Sequence, residues 1–323
     1  MSIQIRKSWC ALVLMVAIGT ANATQTPGMS RLLRLVPAGA EIVAGIADPG
    51  TPFAAGRLLL VTENNNRDLD DCLALLGVDA GNHFEGVVEV ASSSSAGDLE
   101  DDLLLLAGRF DGHRIFRAAF ENGAARAEYD GVDLVVIRPF PREEKQVSAV
   151  RWMAILDDKT LIFGVPGMVK QALDRYQRNT AADPQLIERL TQMHPDVNSW
   201  SLIAMASPML ERHLIPSVLP ESWREILTGG DGFALGIHYG RTARVDFAIH
   251  TRTSAVAIDS QWKQGRVIPA GWFPASGLQK PSVSVGQHDI RGSFSVREKE
   301  FNAWLASIGR NRSKTAGPPT NDH

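Results

Sequence analysis

The pattern of apolar and polar positions along the chain predicts many short strands separated by turns. Asp130-Gly131 and Asp157-Asp158 each stand between two apolar runs, which is the arrangement of a tight hairpin. The predicted strands, in chain order, are residues 41–48, 84–90, 103–110, 126–129, 132–137, 150–156, 160–163, 200–206, 233–239 and 244–251, followed by two short strands within 283–296.

Helical spacing and capping residues predict helices between these strands. Asp111 can cap a helix that ends near Gly123, because apolar residues recur between them at helical spacing. Ser295 and Glu298 match the capping box that precedes a helix, here a final one. Further helices are predicted to begin at Thr51-Pro52, Pro166, Asp183-Pro184 and Ser207-Pro208.

The order of these elements predicts an α+β fold, with a mostly antiparallel, twisted sheet and helices packed on one face. A strand, a helix and a hairpin recur at 103–137 and at 200–251. This recurrence is compatible with an ancient duplication or with chance. The two half-units would be residues 31–178 and 179–312, which form either one continuous sheet or two lobes. Residues 24–30 are predicted to be a polar leader. Residues 313–323 are predicted to be a disordered tail.

The first 23 residues have the pattern of a secretory signal peptide. Arg6 and Lys7 precede an uncharged apolar run, and Ala21-Asn22-Ala23 is a small-x-small cleavage site. The run is shorter than the ~20 residues of a membrane-spanning helix. We therefore expect cleavage between Ala23 and Thr24, a periplasmic or secreted location, and no membrane span in the mature chain.

Composition narrows the class of protein. The 323 residues are 44% hydrophobic and 21% charged, with a formal net charge of −3, so a nucleic-acid partner is not expected. Cys10 leaves with the signal peptide and Cys72 remains alone. Because Cys72 shares a helical face with leucines, it is predicted to be a buried structural thiol.

No group of residues has the spacing of a catalytic or metal site, so no cofactor and no metal are expected. His238 and His250 lie on adjacent predicted strands and could approach each other, but two ligands do not make a metal site. The glycine cluster at 229–232 follows a helix, which is typical of a cap and turn. The pairs Asp101-Asp102 and Asp157-Asp158 are predicted to be turn residues or solvated charges.

Trp272 and Phe273 are the candidate binding residues, because they lie in a loop between Pro269 and Pro274. Exposed aromatic side chains in a rigid loop are typical of a binding surface. The alternative is that this pair anchors the loop under the sheet.

Three segments resemble a group of uncharacterised bacterial secreted proteins. They are residues 34–46 (RLVPAGAEIVAGI), 108–111 (GRFD) and 156–161 (LDDKTL). The resemblance covers about residues 31–176 and implies an exported protein. It implies no activity and no site residues, because the family has no assigned activity.

These observations favour a non-enzymatic binding or interaction role in the cell envelope, with an unknown protein or an apolar ligand as partner. The alternative is an exported hydrolase whose polar residues converge only in the folded chain. A pocket with a histidine and a carboxylate in hydrogen-bond reach would favour the hydrolase. An apolar groove or a flat sheet would favour binding.

Overall fold

The structure is a computed structural model of the chain. It describes residues 26–47, 84–93, 100–137, 150–193, 197–204, 230–239, 242–251 and 282–301. The cleavage residues Ala21 and Ala23, the thiol of Cys72 and the aromatic pair Trp272 and Phe273 lie outside these ranges.

The described helices and strands follow the predicted order closely. The helices are α1 (Pro27–Leu35), α2 (Gly112–Glu121), α3 (Pro166–Gln177) and α4 (Pro184–Thr191). The strands are β1 (Ile42–Ile46), β2 (Phe84–Ser93), β3 (Glu100–Gly108), β4 (Ala125–Tyr129), β5 (Val132–Ile137), β6 (Arg151–Leu156), β7 (Thr160–Gly164), β8 (Ser199–Ile203), β9 (Gly230–His238), β10 (Thr242–Thr251), β11 (Ser282–Val285) and β12 (Asp289–Arg297).

The described strands form one 12-stranded sheet in the order β11-β12-β10-β9-β8-β1-β2-β3-β7-β6-β5-β4. Every neighbouring pair is antiparallel. The predicted α+β class with a mostly antiparallel sheet is therefore confirmed. The described part of the chain contains no helix long and apolar enough to cross a membrane.

The two half-units share this single sheet through the β1–β8 pair. Ala44, the middle residue of β1, pairs with Ser201, the middle residue of β8. Beside them, the fully buried indole of Trp200 lies over Gly45, where a Cβ atom would be 2.3 Å from the ring. A glycine is needed at this close approach, because any larger residue would displace the indole.

The two half-units repeat one topology outward from this pair. The first has the order β1-β2-β3-β7-β6, to which β5 and β4 are added, and the second has the order β8-β9-β10-β12-β11. Each begins with a helix that has a polar N-cap followed by proline, Thr26-Pro27 in α1 and Asp183-Pro184 in α4. Both prolines stand the same number of residues before the strand that follows.

An irregularity in strand pairing falls at equivalent positions in the two half-units. Glu85 is an extra residue of β2 where it pairs with β3, and Asp231 is an extra residue of β9 where it pairs with β10. Such bulges are positional features of a fold. The coincidence of strand order, capped helix and bulge supports a structural repeat. In this repeat β3 matches β10, so the recurrence predicted between 103–137 and 200–251 aligns the wrong strands.

The sheet has a buried apolar layer on each face. On the face that carries Leu103 and Leu105, which we call the front face, α1, α3 and α4 pack against the strands. On the back face, which carries Leu104 and Leu106, α2 packs through Ile115 and Ala119. Helices therefore lie on both faces, and the prediction that all pack on one face does not hold for α2.

Local turn and cap signals in the first half are confirmed. Asp111 caps α2 by accepting a hydrogen bond from the Arg114 backbone N–H at 3.0 Å. Asp130, Asp157 and Asp158 adopt positive φ angles near +50° in the hairpin turns. Aspartate tolerates this conformation better than most residues, which explains its use in these turns.

Three local predictions are wrong. Helix α1 begins at Pro27, inside the segment expected to be a leader, and its Met29 is fully buried. Ser295 does not cap a helix, because it lies within β12 and pairs with Arg244, and the helical residues begin at 298. Gly230 and Gly232 are not a cap and turn but the start of β9, where they pair with β10.

Candidate ligand cavity

A cavity of about 480 Å³ lies on the front face of the second half-unit. Its floor is formed by β9, β10, β12 and β11, and one wall is formed by the C-terminal end of α4. Its lining residues are Arg189, Gln192, Met193, Ala234, Asp246, Phe247, Ala248, Ser282, Ser284, Arg291, Gly292 and Ser293.

The alternation of side chains in β10 makes this floor polar. Val245, Phe247 and Ile249 are buried and point to the back face. The residues between them point to the front face, because successive strand residues face opposite sides. These front-face residues are Arg244, Asp246, Ala248 and His250.

Arg189 brings a cationic group to the cavity wall, where none of the described carboxylates pairs with it. Its guanidinium group lies against Gly232, 3.1 Å from the position that a Cβ atom would occupy there. Among the described residues, no carboxylate forms an ion pair with it. The neighbouring arginines are paired, Arg244 with Asp246 at 3.1 Å and Arg291 with Asp289.

Several buried polar atoms around the cavity have no hydrogen-bond partner within the described ranges. They include Oε1 of Gln192, which lines the cavity, and Oδ1 of Asp231 and Nε2 of His250 beside it. Leaving a buried acceptor unsatisfied costs about 1–3 kcal/mol, so such atoms call for an explanation. The arrangement is suited to a ligand that brings hydrogen-bond donors.

His250 lies at the end of the cavity floor among four charged groups. Burial lowers its pKa, and the nearby guanidinium groups of Arg189 and Arg291 act in the same direction. The carboxylates of Asp231 and Asp289 act in the opposite direction but do not outweigh these effects. The imidazole is therefore held in its neutral form at neutral pH.

In the first half-unit, the positions equivalent to the cavity residues are apolar. Strand residues are equivalent when they occupy the same register position counted outward from β1 in one half and from β8 in the other. Helix residues are equivalent when they lie the same number of residues after the N-cap of α1 or of α4. The pairs, with the first-half residue first, are Leu32 and Arg189, Leu35 and Gln192, Leu103 and Asp246, Leu105 and Ala248, Ala107 and His250, Ala154 and Ser284, and Ile162 and Arg291.

The two histidines singled out by the sequence are far apart. His238 pairs with Arg244 and His250 pairs with Gly232, at opposite ends of the hairpin. Six residues along a strand separate their positions by about 20 Å. Among the described residues, no group of three or more metal-ligating side chains converges.

Of the aspartate pairs, Asp102 differs from its prediction. It is buried at 8% exposure and forms an ion pair with Arg151, so it is not a solvated charge. Arg151 follows a segment outside the described residues, and the pairing of β6 beside β7 brings the two side chains together.

The cavity residues were missed in the sequence, and the predicted binding pair is not tested by the structure. Trp272 and Phe273, like the cleavage residues Ala21 and Ala23, lie outside the described residues and stay predictions. A signal for the cavity does exist, because Asp246 and His250 alternate with apolar residues in β10. This alternation is also that of an ordinary solvent-facing strand, and therefore does not identify a site.

Comparisons with known proteins give no family. No protein-family model and no curated protein matches the chain. Among solved structures, it is similar to the regulatory subunit of aspartate kinase from Thermus thermophilus in its ligand-free form. The identity is 13%, the match covers 68% of this chain and 98% of that chain, and the TM-score is 0.13. At this TM-score the likeness supports no conclusion about fold or function.

Proposed function

We propose that the protein is an exported binding protein whose second-half cavity takes a small ligand with an anionic group. The observation that supports this most directly is the guanidinium group of Arg189 on the cavity wall, which has no ionic partner in the part of the chain that the structure describes. A guanidinium group binds carboxylates through charge-assisted, often bidentate hydrogen bonds. Export rests on the signal-peptide pattern of residues 1–23.

The cavity lining favours a ligand that carries polar groups as well as apolar surface, rather than the apolar ligand expected from the sequence. Ser282, Ser284 and Ser293 form part of the floor, together with Asp246 and Arg291. Met193, Phe247, Ala234 and Ala248 supply apolar surface beside these groups. A lipid chain would match this apolar surface but would leave Arg189 and Gln192 Oε1 unsatisfied, at a cost in free energy.

Binding is also favoured over hydrolysis at this site. A hydrolase would place a histidine in hydrogen-bond reach of a carboxylate or a nucleophile. His250 is the histidine that the described residues place beside the cavity, and none of them forms a hydrogen bond with its Nε2 atom. The same holds for Oδ1 of Asp231, the nearby carboxylate oxygen.

The proposal is tested by titrating the purified mature protein with acetate, succinate, glutarate and citrate in a calorimeter. We expect at least one of these anions to bind, and Arg189→Leu to weaken it by about 10–100-fold, the effect of losing a charge-assisted hydrogen bond. The matched control is Arg178→Leu, which removes an arginine from the exposed end of α3. The intact mass of the exported protein reports cleavage after Ala23.

Absence of binding by the wild-type protein of every carboxylate-bearing compound, amino acids included, would contradict the proposal. Equal affinity in the wild type and Arg189→Leu would also contradict it, because the anion would then bind elsewhere. Thermal unfolding of both variants checks that neither has lost its fold.

A further inference from the structure

The cavity contains unmatched groups of two kinds, a cation and hydrogen-bond acceptors. Arg189 lacks an anionic partner among the described residues, and Oε1 of Gln192 is buried without a donor. Both residues lie at the C-terminal end of α4 and line the same cavity. A ligand that satisfies both must carry a negative group and N–H or O–H donors.

A second acceptor faces the cavity from the sheet. Asp246 accepts a hydrogen bond from Arg244 Nε through its Oδ2 atom at 3.1 Å. None of the described residues donates to its other carboxylate oxygen. Asp246 is mostly buried, with 17% of its side chain exposed, and Arg244 balances its charge, so its free oxygen acts in the cavity as a hydrogen-bond acceptor.

These groups discriminate between classes of anion. A phosphate or a simple carboxylate offers little or no donor capacity, so it would leave Gln192 Oε1 and the second carboxylate oxygen of Asp246 without a donor. A neutral sugar could donate hydrogen bonds but would leave the charge of Arg189 uncompensated. An ammonium group has three donors and a positive charge, which match Gln192 and Asp246.

We propose that the ligand is a small zwitterion of the amino-acid class, whose carboxylate binds Arg189 and whose ammonium group binds Gln192 and Asp246. This inference rests on the proposed function, because it names the ligand class of the same cavity. The side chain of the ligand would contact Met193, Ala234 and Ala248, the apolar part of the lining. The volume of about 480 Å³ is within the range of small-molecule sites.

The test compares three forms of one carbon skeleton. The proteinogenic L-amino acids are titrated into the purified protein, and the tightest binder is then compared with its deamino carboxylic acid and its N-trimethyl betaine. We expect the amino acid to bind about tenfold or more tightly than either, because the carboxylic acid lacks the ammonium group and the betaine lacks its donors.

Variants then assign the groups. Gln192→Leu introduces the residue type found at the equivalent position of the first half, Leu35. This variant should remove much of the preference for the amino acid over its carboxylic acid, and should leave the affinity for the carboxylic acid nearly unchanged. Gln185→Leu, on the exposed side of α4, is the matched control. Asp246→Asn should produce the same loss of preference and serves as the second variant should Gln192→Leu fail to fold.

The possible results separate the two proposals. Equal binding of the amino acid and its deamino acid, both lost in Arg189→Leu, would overturn the zwitterion and leave anion binding intact. Binding of carboxylates but of no amino acid would have the same meaning. Absence of binding by any amino acid or carboxylate would overturn both proposals, as would amino-acid binding that is unchanged in Arg189→Leu.

Discussion

The two half-units have the same strand order but differ in the side chains on the front face of the sheet. In the first, α1 and α3 pack against leucine, isoleucine and valine side chains on the front face of the sheet. In the second, the same face of the sheet beside α4 holds arginine, aspartate, histidine and serine around a cavity. The difference is made by a few front-face positions, while the strand pairing, the bulge and the capped helix are common to both.

This contrast shows which part of a sheet determines the fold and which part can change. Strand order depends on backbone hydrogen bonds and on the apolar back-face residues, and both half-units keep these. A buried leucine or isoleucine contributes about 1.5–3 kcal/mol of stability through burial. The first half therefore has apolar stabilisation at positions where the second half has the charged and polar groups of the cavity.

The largest expected effect comes from truncating equivalent residues in β7 and β12. Ile162 is fully buried, so Ile162→Ala should lower the free energy of unfolding by about 2–5 kcal/mol. Its counterpart Arg291 is partly exposed and paired with Asp289, so Arg291→Ala should cost about 0–1 kcal/mol. Urea unfolding of both variants measures the difference. Similar losses would show that the second half is packed as tightly as the first.

A smaller and equal effect is expected at the two N-caps. Thr26 Oγ1 accepts a hydrogen bond from the Met29 backbone N–H at 3.2 Å, and Asp183 Oδ1 accepts one from Gln185 at 2.8 Å. Thr26→Ala and Asp183→Ala should each cost about 0.5–2 kcal/mol. Thermal unfolding is the measurement, with the exposed Ser30→Ala of α1 as control. A loss at only one cap would break the equivalence of the two helices.

The smallest effect is the pH dependence due to His250. Its pKa in the fold lies below the ordinary value because of burial and nearby arginines. The unfolded chain therefore takes up the proton first, and stability falls as the pH drops below about 6.5. His250→Ala introduces the residue type found at the equivalent position of the first half, Ala107. This variant should remove the part of the stability loss that comes from protonation of His250. Urea unfolding at several values between about pH 5 and 8, the range in which histidine titrates, measures this decline in stability.

The control for the pH experiment is His288→Ala, at an exposed turn between β11 and β12. An unchanged slope in His250→Ala would show that protonation of this imidazole is not coupled to folding.

Local chemistry in the sequence predicted much of the first half. Asp111 and the aspartates of the hairpin turns act within a few residues, so their neighbours suffice to predict them. Helix α1 was missed because it is short and follows polar residues, and its burial against β2 and β3 depends on contacts distant in the sequence. At Ser295 the pairing of β12 with β10 prevails over the capping pattern.

The cavity could not be predicted in the same way. Arg189, Asp246 and Arg291 come from three elements far apart in the chain, and they meet only because β10 and β12 pair beside α4. The join of β1 to β8 is equally non-local, so the sequence left open whether the halves form one sheet or two lobes. Strand register aligns the two halves residue by residue. The polar cavity residues of the second half then differ from the apolar residues at the equivalent positions of the first.

The central β1–β8 pair has a consequence for evolution. A symmetric homodimer that joined two identical copies through such a strand pair would acquire every substitution twice, once on each side of the axis. A polar cavity could then appear only at the expense of the apolar core in both copies. With both repeats on one polypeptide, Leu32 and Arg189 can differ. One repeat is thus free to specialise while the other preserves the stability of the whole.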